Sequence, residues 1–452
     1  MALFWPDSNG ASEMPTRSNG KTPTSAGAGL VAALDVGTTK VCAILGRKTV
    51  RRGVDIVGHS IVPCNGLRKG NVSDITATEN AVRQSVQELE RRTGFRIESA
   101  FVGLTGSHVS FENRRDRLDS MGDKGVITSE DLNRSPKTLH AAANEPGRRV
   151  IHAVKMSYSL DGKEGIRNPL GMHSRNVEVE THLVTGRVVL INRLVQAVEN
   201  AGVRVNNLVL EPLASGLAVL EPQEKERGAI IVDIGGGTTD VVCFKKGRIF
   251  YTGVIPVGGF QFTNDIVVTF NTSYETAEAA KLRYASTEMQ APAADDEEIL
   301  LPIAGRDVDK KVQRQEICQL IRERAQELAR LIKLKLYEQG EKLSADRLVL
   351  TGGTSNLPGL PTLLQRSLAI PVRQGVPILR GALPEELRNS AYATSVGILL
   401  WAIAEHVPSS MEGQSSSNGI KEPGPEGLVS SLIRRLSNVM PFTQFAARKG
   451  RI

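Results

Sequence analysis

Apolar and polar positions along this chain follow two periods, and the switches between them mark out its elements. The run Ile230-Ile231-Val232-Asp233-Ile234-Gly235-Gly236-Gly237-Thr238-Thr239-Asp240-Val241-Val242 is β-branched at both ends with a glycine turn between, which predicts strand, tight turn and strand. Ala33-Leu34-Asp35-Val36-Gly37-Thr38-Thr39-Lys40-Val41-Cys42-Ala43-Ile44-Leu45 repeats that order with a shorter turn. Repetition half a chain apart predicts two related lobes. A third apolar strand, Leu348-Val349-Leu350-Thr351, enters Gly352-Gly353-Thr354 and is followed by a helix beginning near Pro361.

Helical spacing governs the stretches between. Ile75 to Arg92 places Ile75, Val82, Val86 and Leu89 on one face and stops at Gly94, and Leu190 to Ala201 does the same ahead of Gly202. Asp309 to Gln339 reads as one long helix closed by Gly340, with Ile317, Leu320, Ile321, Leu328, Leu331 and Ile332 inward and Lys310, Lys311, Arg314, Arg322, Arg324 and Arg330 outward. Val396 to Ala404 predicts a buried helix, about half the length that spans a bilayer. Period two returns in Val150, Val154, Met156, Tyr158 and Leu160 and again in Val177, Val179 and Leu183. With a helix near Ser129 to Asn144, the section from about Val102 to Glu180 reads as a small α+β insertion.

The last apolar stripe stands apart. Leu428, Val429, Leu432, Ile433, Leu436, Val439 and Met440 recur at helical steps opposite Ser430, Ser431, Arg434, Arg435, Ser437 and Asn438, behind a Ser/Gly/Pro-rich tether from Pro408 to Glu426. The tail beyond Gly427 carries Arg434, Arg435, Arg448, Lys449 and Arg451 and no acid, so its expected partner is an anionic lipid surface, with a protein groove as the alternative.

Composition narrows the classes. A chain of 452 residues, 40% hydrophobic, exceeds one compact domain. Cys42, Cys64, Cys243 and Cys318 are scattered, and no histidine spacing suits a metal, so a reducing compartment and no structural metal are expected. Residues 1–29 are rich in Ser, Gly, Thr and Pro and lack a signal-peptide pattern, and read as a disordered arm. The net charge of +7 comes without aromatic-basic interleaving, which argues against nucleic acid.

Candidate chemistry sits on the turns. Glycines let turn amides approach a polyanion and the threonines add hydroxyls, so a nucleotide phosphate is the natural guest of Gly37, Thr38, Thr39 and Lys40 and of Gly235, Gly236, Gly237, Thr238 and Thr239. Asp35 and Asp233 repel phosphate directly but suit a hydrated magnesium ion bridging to it; Asp240 closes the second turn. Gly352, Gly353 and Thr354 allow close approach to a purine or its sugar, and Glu278 and Lys281 project from one helix face, as a surface ion pair would also do.

Two phosphate hairpins and a late Gly-Gly loop, in that order, resemble the actin, sugar kinase and heat-shock chaperone ATPase superfamily. Gly165-Ile166-Arg167-Asn168-Pro169-Leu170-Gly171, Val257-Gly258-Gly259 with Thr263-Asn264-Asp265-Ile266, and Ala277-Glu278-Ala279-Ala280-Lys281 resemble, more closely, the FtsA family of actin-like bacterial division proteins, over roughly residues 30 to 408. The resemblance implies an α/β, actin-like two-lobed ATPase fold with a duplicated ribonuclease H-like core. Lobe 1 would take residues 30–102 and 181–211 around an inserted subdomain, 1C, at 103–180. Lobe 2 would take 212–257 and, together with a closing helix, 341–407, with an outer subdomain at 258–340, followed by a linker at 408–426 and a membrane-targeting helix and basic tail at 427–452.

It further implies bound ATP and Mg2+, with Glu278 and Lys281 flanking the adenosine, Glu211 of the Glu211-Pro212 helix start orienting a water, and Asp233 as the second catalytic acid. Glu before Pro at a helix start is also a common capping device, and that is the stronger competing explanation of Glu211. The implied function is a scaffold, at most a slow ATPase, that polymerises with itself and anchors the FtsZ ring to the cytoplasmic face of the inner membrane at the septum. The FtsZ tail would be bound through Lys310, Arg314 and Arg324, and later division proteins through the insertion. The alternatives are a sugar or metabolite kinase and a pilus-assembly actin homologue, neither of which accounts for the tail, and a chaperone ATPase, whose substrate domain should follow residue 408.

Overall fold

In the computed structural model, residues 24–25, 29–49, 53–118, 125–133, 141–142, 144–288, 297–306, 308–338, 345–379 and 381–406 are described. Two five-stranded sheets carry the molecule. In the first, strand Leu30–Val36 turns back antiparallel into Lys40–Thr49, which pairs antiparallel with Gly53–Pro63, while on its other side Ser99–Leu104 and then Arg204–Leu210 add in parallel. In the second, Ala229–Ile234 turns into Thr239–Lys245, then Arg248–Ile255, and on its other side takes Arg347–Thr351 and Val372–Gln374 in parallel. The order and sense of pairing are the same in both, so the duplicated hairpin in the sequence is the visible part of a duplicated lobe.

The central strands are buried along their length, as their uninterrupted β-branched character requires of a sheet covered on both faces. Lobe 1 is covered by helix Ile75–Thr93, capped by the Asp74 carboxylate on the Ala77 amide at 2.9 Å and closed by Gly94 at φ 73°, and by helix Val188–Asn200. Helices Glu211–Val219 and Ala393–His406 pack on each other and on the first sheet, and share its core through Leu213, Leu217, Val396 and Trp401. One face of the second sheet has a core of its own, built on Ile230, Val232, Phe262, Ile266, Ile321 and Leu350, while Ile231, Val242 and Val349 belong to the core of the first. All four cysteines are buried and free.

The insertion is a four-stranded antiparallel sheet in the order Lys163–Ile166, Arg148–Leu160, Val177–Arg187, Ser110–Leu118. Its last strand runs past residue 180, and the predicted helix is described only as Ser129–Asn133, with Ala141 and Ala142 helical beyond it. It leans on lobe 2: Arg167 forks onto Glu226, with one bond of 2.8 Å, and donates to the Lys246 carbonyl at 3.0 Å. The Asn113 amide donates to Phe250 carbonyl, and His182 pairs with the Thr252 hydroxyl.

The structure corrects two expectations. The segment Asp309–Gln313 is not helical but a strand paired with Glu298–Pro302, and the helix is Arg314–Tyr337. Val312 is buried between exposed Lys311 and Gln313, and Glu316 accepts from the Gln313 amide at 2.9 Å, which starts the helix at Arg314. Thr24–Ser25, inside the arm expected to be disordered, pairs in parallel with Phe95–Arg96. The tether and the apolar stripe from Leu428 to Met440 lie outside the described residues.

Candidate functional site

The two hairpins close in the same way. The Gly37 amide donates to the Lys40 carbonyl and the Gly235 amide to the Thr238 carbonyl, both at 2.9 Å. Those two N–H groups are therefore used inside the turns, whereas among the described residues the amides of Gly236 and Gly237 have no backbone acceptor. Their carbonyl side is fixed: Gly235 accepts from the Gly259 amide and the Thr354 hydroxyl, each at 2.9 Å, and Gly236 from the Phe260 amide at 2.7 Å. The turn thus rests its carbonyls on the N-terminus of helix Gly259–Phe270 and leaves its amides free for an anion. A side chain at Gly258 would put its Cβ 2.8 Å from the Gly235 and Gly236 carbonyl oxygens, which is why Val257 is followed by two glycines.

Between the lobes lies a cavity of about 310 Å3, within the range of small-ligand sites. Asp35, Gly37, Thr38, Thr39, Lys40, Glu211, Asp233, Gly235, Gly236, Gly237, Thr238, Asp240, Glu278, Lys281, Gly352, Gly353 and Thr354, singled out from the sequence, all line it. Thr239 does not: its hydroxyl is fully buried and donates to the Val257 carbonyl at 2.8 Å. Glu278 and Lys281 also form an ion pair with each other, at 2.7 Å, with Lys281 donating to the Thr263 hydroxyl at 2.8 Å. Gly352 has φ 86°, and a Cβ there would meet Asp233 Oδ1 at 2.3 Å.

Four acids gather at the cavity floor. Asp35 accepts from the Ser395 hydroxyl at 2.5 Å; Asp233 accepts from Thr394 at 2.8 Å and from Ser215; Asp240 accepts from Thr105 at 2.8 and 2.9 Å. Adjacent residues of one helix thus hold one carboxylate of each lobe. Burial pushes Asp35 and Asp233 above the usual carboxylate range, Lys40 working against it at both. Burial, reinforced by neighbouring acids, pushes Glu211 and Asp240 well above it. The floor is therefore short of positive charge, and a cation is the complement it lacks. No group of three or more His, Cys, Asp or Glu among the described residues could hold a metal by itself, so an ion here would keep its water and meet Asp35 and Asp233 through it.

Sequence reasoning missed Thr105, Ser215, Thr394 and Ser395, of which Thr394 is half-buried and the others buried, and whose only signal was a hydroxyl beside apolar neighbours. It also missed Phe260 and Tyr274, whose rings stack 5.4 Å apart beside the cavity. The basic face expected on the long helix is broken up. Lys310 lies on the strand with its ammonium 5.2 Å from the Phe270 ring, Arg314 donates to the Tyr284 carbonyl at 3.1 Å, and Arg324 forks onto Asp265 at 2.6 and 2.7 Å.

Known proteins share these features. The family described as cell division protein FtsA matches residues 230–397, and the SHS2 domain inserted in FtsA matches residues 106–185. The chain is 36% identical over 396 residues to the cell division protein FtsA of Pseudomonas aeruginosa, covering 87% of this chain and 94% of that protein. It is 31% identical over 419 residues to that of Neisseria meningitidis, covering 90% and 98%. Among solved structures, a PilM–PilN type IV pilus biogenesis complex aligns with a TM-score of 0.58 at 19% identity over 82% of this chain and 98% of that one. MreB5 of Spiroplasma citri aligns with a TM-score of 0.52 at 14% identity over 85% and 99%. These two likenesses are of fold. No helix among the described residues is long and apolar enough to cross a membrane. With identity of 31–36% across nearly the whole of its relatives, the inserted domain in its place and an actin-like pair of lobes around it, the chain belongs to the FtsA family of actin-like cell division proteins.

Proposed function

We propose that this protein is an ATP-binding scaffold that polymerises and holds the FtsZ ring at the cytoplasmic face of the inner membrane, at the septum. The observation that carries the nucleotide reading is the pair of alike hairpins, one from each lobe, facing one cavity with an acid apiece. The MreB5 structure of like fold is bound to ADP. The amides of Gly236 and Gly237, the Thr38 hydroxyl and Lys40 would receive the phosphates, Gly352 to Thr354 with Glu278 and Lys281 the adenosine, and Asp35 and Asp233 the water shell of magnesium. Magnesium supplies the positive charge that lets phosphates lie over a floor of carboxylates.

Glu211 is the candidate for orienting a water, and Asp233 assists by holding the ion's water shell. Burial and the neighbouring acids Asp35, Asp240 and Asp233 push the Glu211 carboxyl well above its usual range, and no arginine is among the described residues lining the cavity to offset charge on a leaving phosphate, so hydrolysis is slow and the molecule is a scaffold first. The segment Leu428 to Met440 is the membrane anchor, acting through its apolar stripe and basic residues on anionic lipid. The outer subdomain receives the acidic FtsZ tail, and the insertion faces other division proteins. A single anchor binds weakly, and polymerisation joins many through their tethers.

Gly235→Val tests the nucleotide site. A Cβ at Gly235 meets only the Thr238 carbonyl, at 3.4 Å, so the fold accepts it while the branched side chain fills the phosphate seat. Loss of the ATP-dependent rise in melting temperature, with the unliganded melt intact, is the expected result. An unchanged rise would overturn the assignment.

A further inference from the structure

We propose that one buried water molecule sits behind the first hairpin between His108 and Asn71, and that it fixes the turn from which Thr105 reaches across to the other lobe. His108 is 6% exposed, yet neither ring nitrogen has a partner, and the Asn71 Oδ1 atom is likewise buried and unpaired. Such orphans are uncommon, because each gives up its hydration without a replacement partner. The two point at one place. A Cβ built on Gly106, at φ 129°, would lie 2.9 Å from His108 Nδ1 and 3.0 Å from Asn71 Oδ1, so the missing side chain of Gly106 leaves room beside both.

A cavity of about 10 Å3, lined by Asn71, Thr105, His108 and Glu211 among apolar neighbours such as Val72 and Leu104, adjoins both side chains, and this is roughly the space of a single water. The chemistry selects the occupant. Asn71 already donates its amide hydrogen to the Lys69 carbonyl at 3.1 Å, which leaves Oδ1 as an acceptor. Burial, with Arg148 and Arg187 close by, pushes the His108 imidazole down to about 4, so it is neutral and offers either an acceptor or a donor at Nδ1. Water answers both tautomers, giving two hydrogens to two acceptors, or accepting from Nδ1 and donating to Asn71. A metal ion or ammonium would face the two guanidinium charges, and an anion would face the Asn71 carbonyl.

The turn this water braces has a task. Val109 donates to the Gly106 carbonyl at 3.0 Å, and one residue before that turn Thr105 donates to both oxygens of Asp240, a hydrogen bond from lobe 1 to lobe 2. The site needs no nucleotide, so its test is independent of the function proposed above.

A crystal structure of the whole chain at a resolution that places ordered water should show one molecule within hydrogen-bond distance of His108 Nδ1 and Asn71 Oδ1. Hydrogen exchange of the Val109 amide should be about tenfold faster in Asn71→Leu, which loses the acceptor, than in the wild type, and close to wild type in Asn71→Asp, which keeps one. His108→Leu provides the same acceleration should Asn71→Leu not fold. A dry cavity, an Asn71 amide turned to bond His108 directly, or equal exchange in all variants would overturn the proposal.

Discussion

Gly397→Ala sets two opposed effects against each other at the joint between the lobes. Gly397 lies inside helix Ala393–His406, where alanine is favoured over glycine by about 0.5–1 kcal/mol on propensity alone. A Cβ there, however, would stand 1.9 Å from the Ala214 carbonyl oxygen and 2.3 Å from its carbon, both backbone atoms of helix Glu211–Val219 that cannot rotate away. Bringing that contact to an ordinary separation needs roughly 1 Å of movement between two helices packed at organic-crystal density. Overpacking of this kind costs about 1–3 kcal/mol or more, so sterics outweigh propensity and the variant is destabilised. The same wedge separates Ser215, on one helix, from Thr394 on the other, and both hold Asp233. Calorimetry should show a melting midpoint lower by several degrees, and ATP titration should show weaker binding with it. A raised midpoint would refute the claim that this crossing is tight.

Three further outcomes follow. The raised acids favour folding fully below their unfolded values of 3.8 and 4.5, and that contribution is lost as pH rises through the folded ones. The nucleotide-free melting temperature should therefore fall as pH climbs above about 4.5, less steeply in Glu211→Gln, and magnesium nucleotide should flatten it; equal slopes in both proteins would contradict this. Because Arg324 forks onto Asp265, Arg324→Glu should lower stability by about 1–3 kcal/mol in denaturant melts, whereas exposed Lys310→Glu should weaken FtsZ tail-peptide binding by anisotropy at unchanged stability; unaltered peptide affinity would move that interface elsewhere. Leu432→Glu with Leu436→Glu should release the protein from anionic vesicles on flotation, and retention would show the anchor lies outside the stripe.

Hairpins, lobes and most of the cleft were legible because each is written locally: β-branched runs set the strands, glycines the turns, and repetition the duplication. The long helix was overextended because Lys310 and Lys311 are charged and fit a helix face as well as a strand edge. Only Val312 and the Gln313–Glu316 capping box mark the true start. Thr239 looked like a second phosphate hydroxyl because sequence shows neighbours but not which side of a pleat each faces; one residue on from Thr238, it points into the core. The hydroxyls that hold the acids were illegible for a different reason. Ser395 lies 360 positions from Asp35, and nothing local records a partner that far away.

The placement of the last described helix bears on how the chain is made. Ala393–His406 packs on Leu30–Val36 and Lys40–Thr49, and Leu399 lies against Gly46, so the first sheet is finished by residues that follow the whole of lobe 2. Lobe 2 has a core of its own on one face of its sheet, from Ile230 to Leu368, while Ile231, Val242, Phe244 and Val349 on the other face join the core of lobe 1. Contacts of such sequence separation form late, since the loop between them must close before they reward it. During synthesis, then, the N-terminal strands wait half-covered until residues near Trp401 emerge, and the cleft forms last, when the closing helix brings Thr394 and Ser395 to acids translated long before.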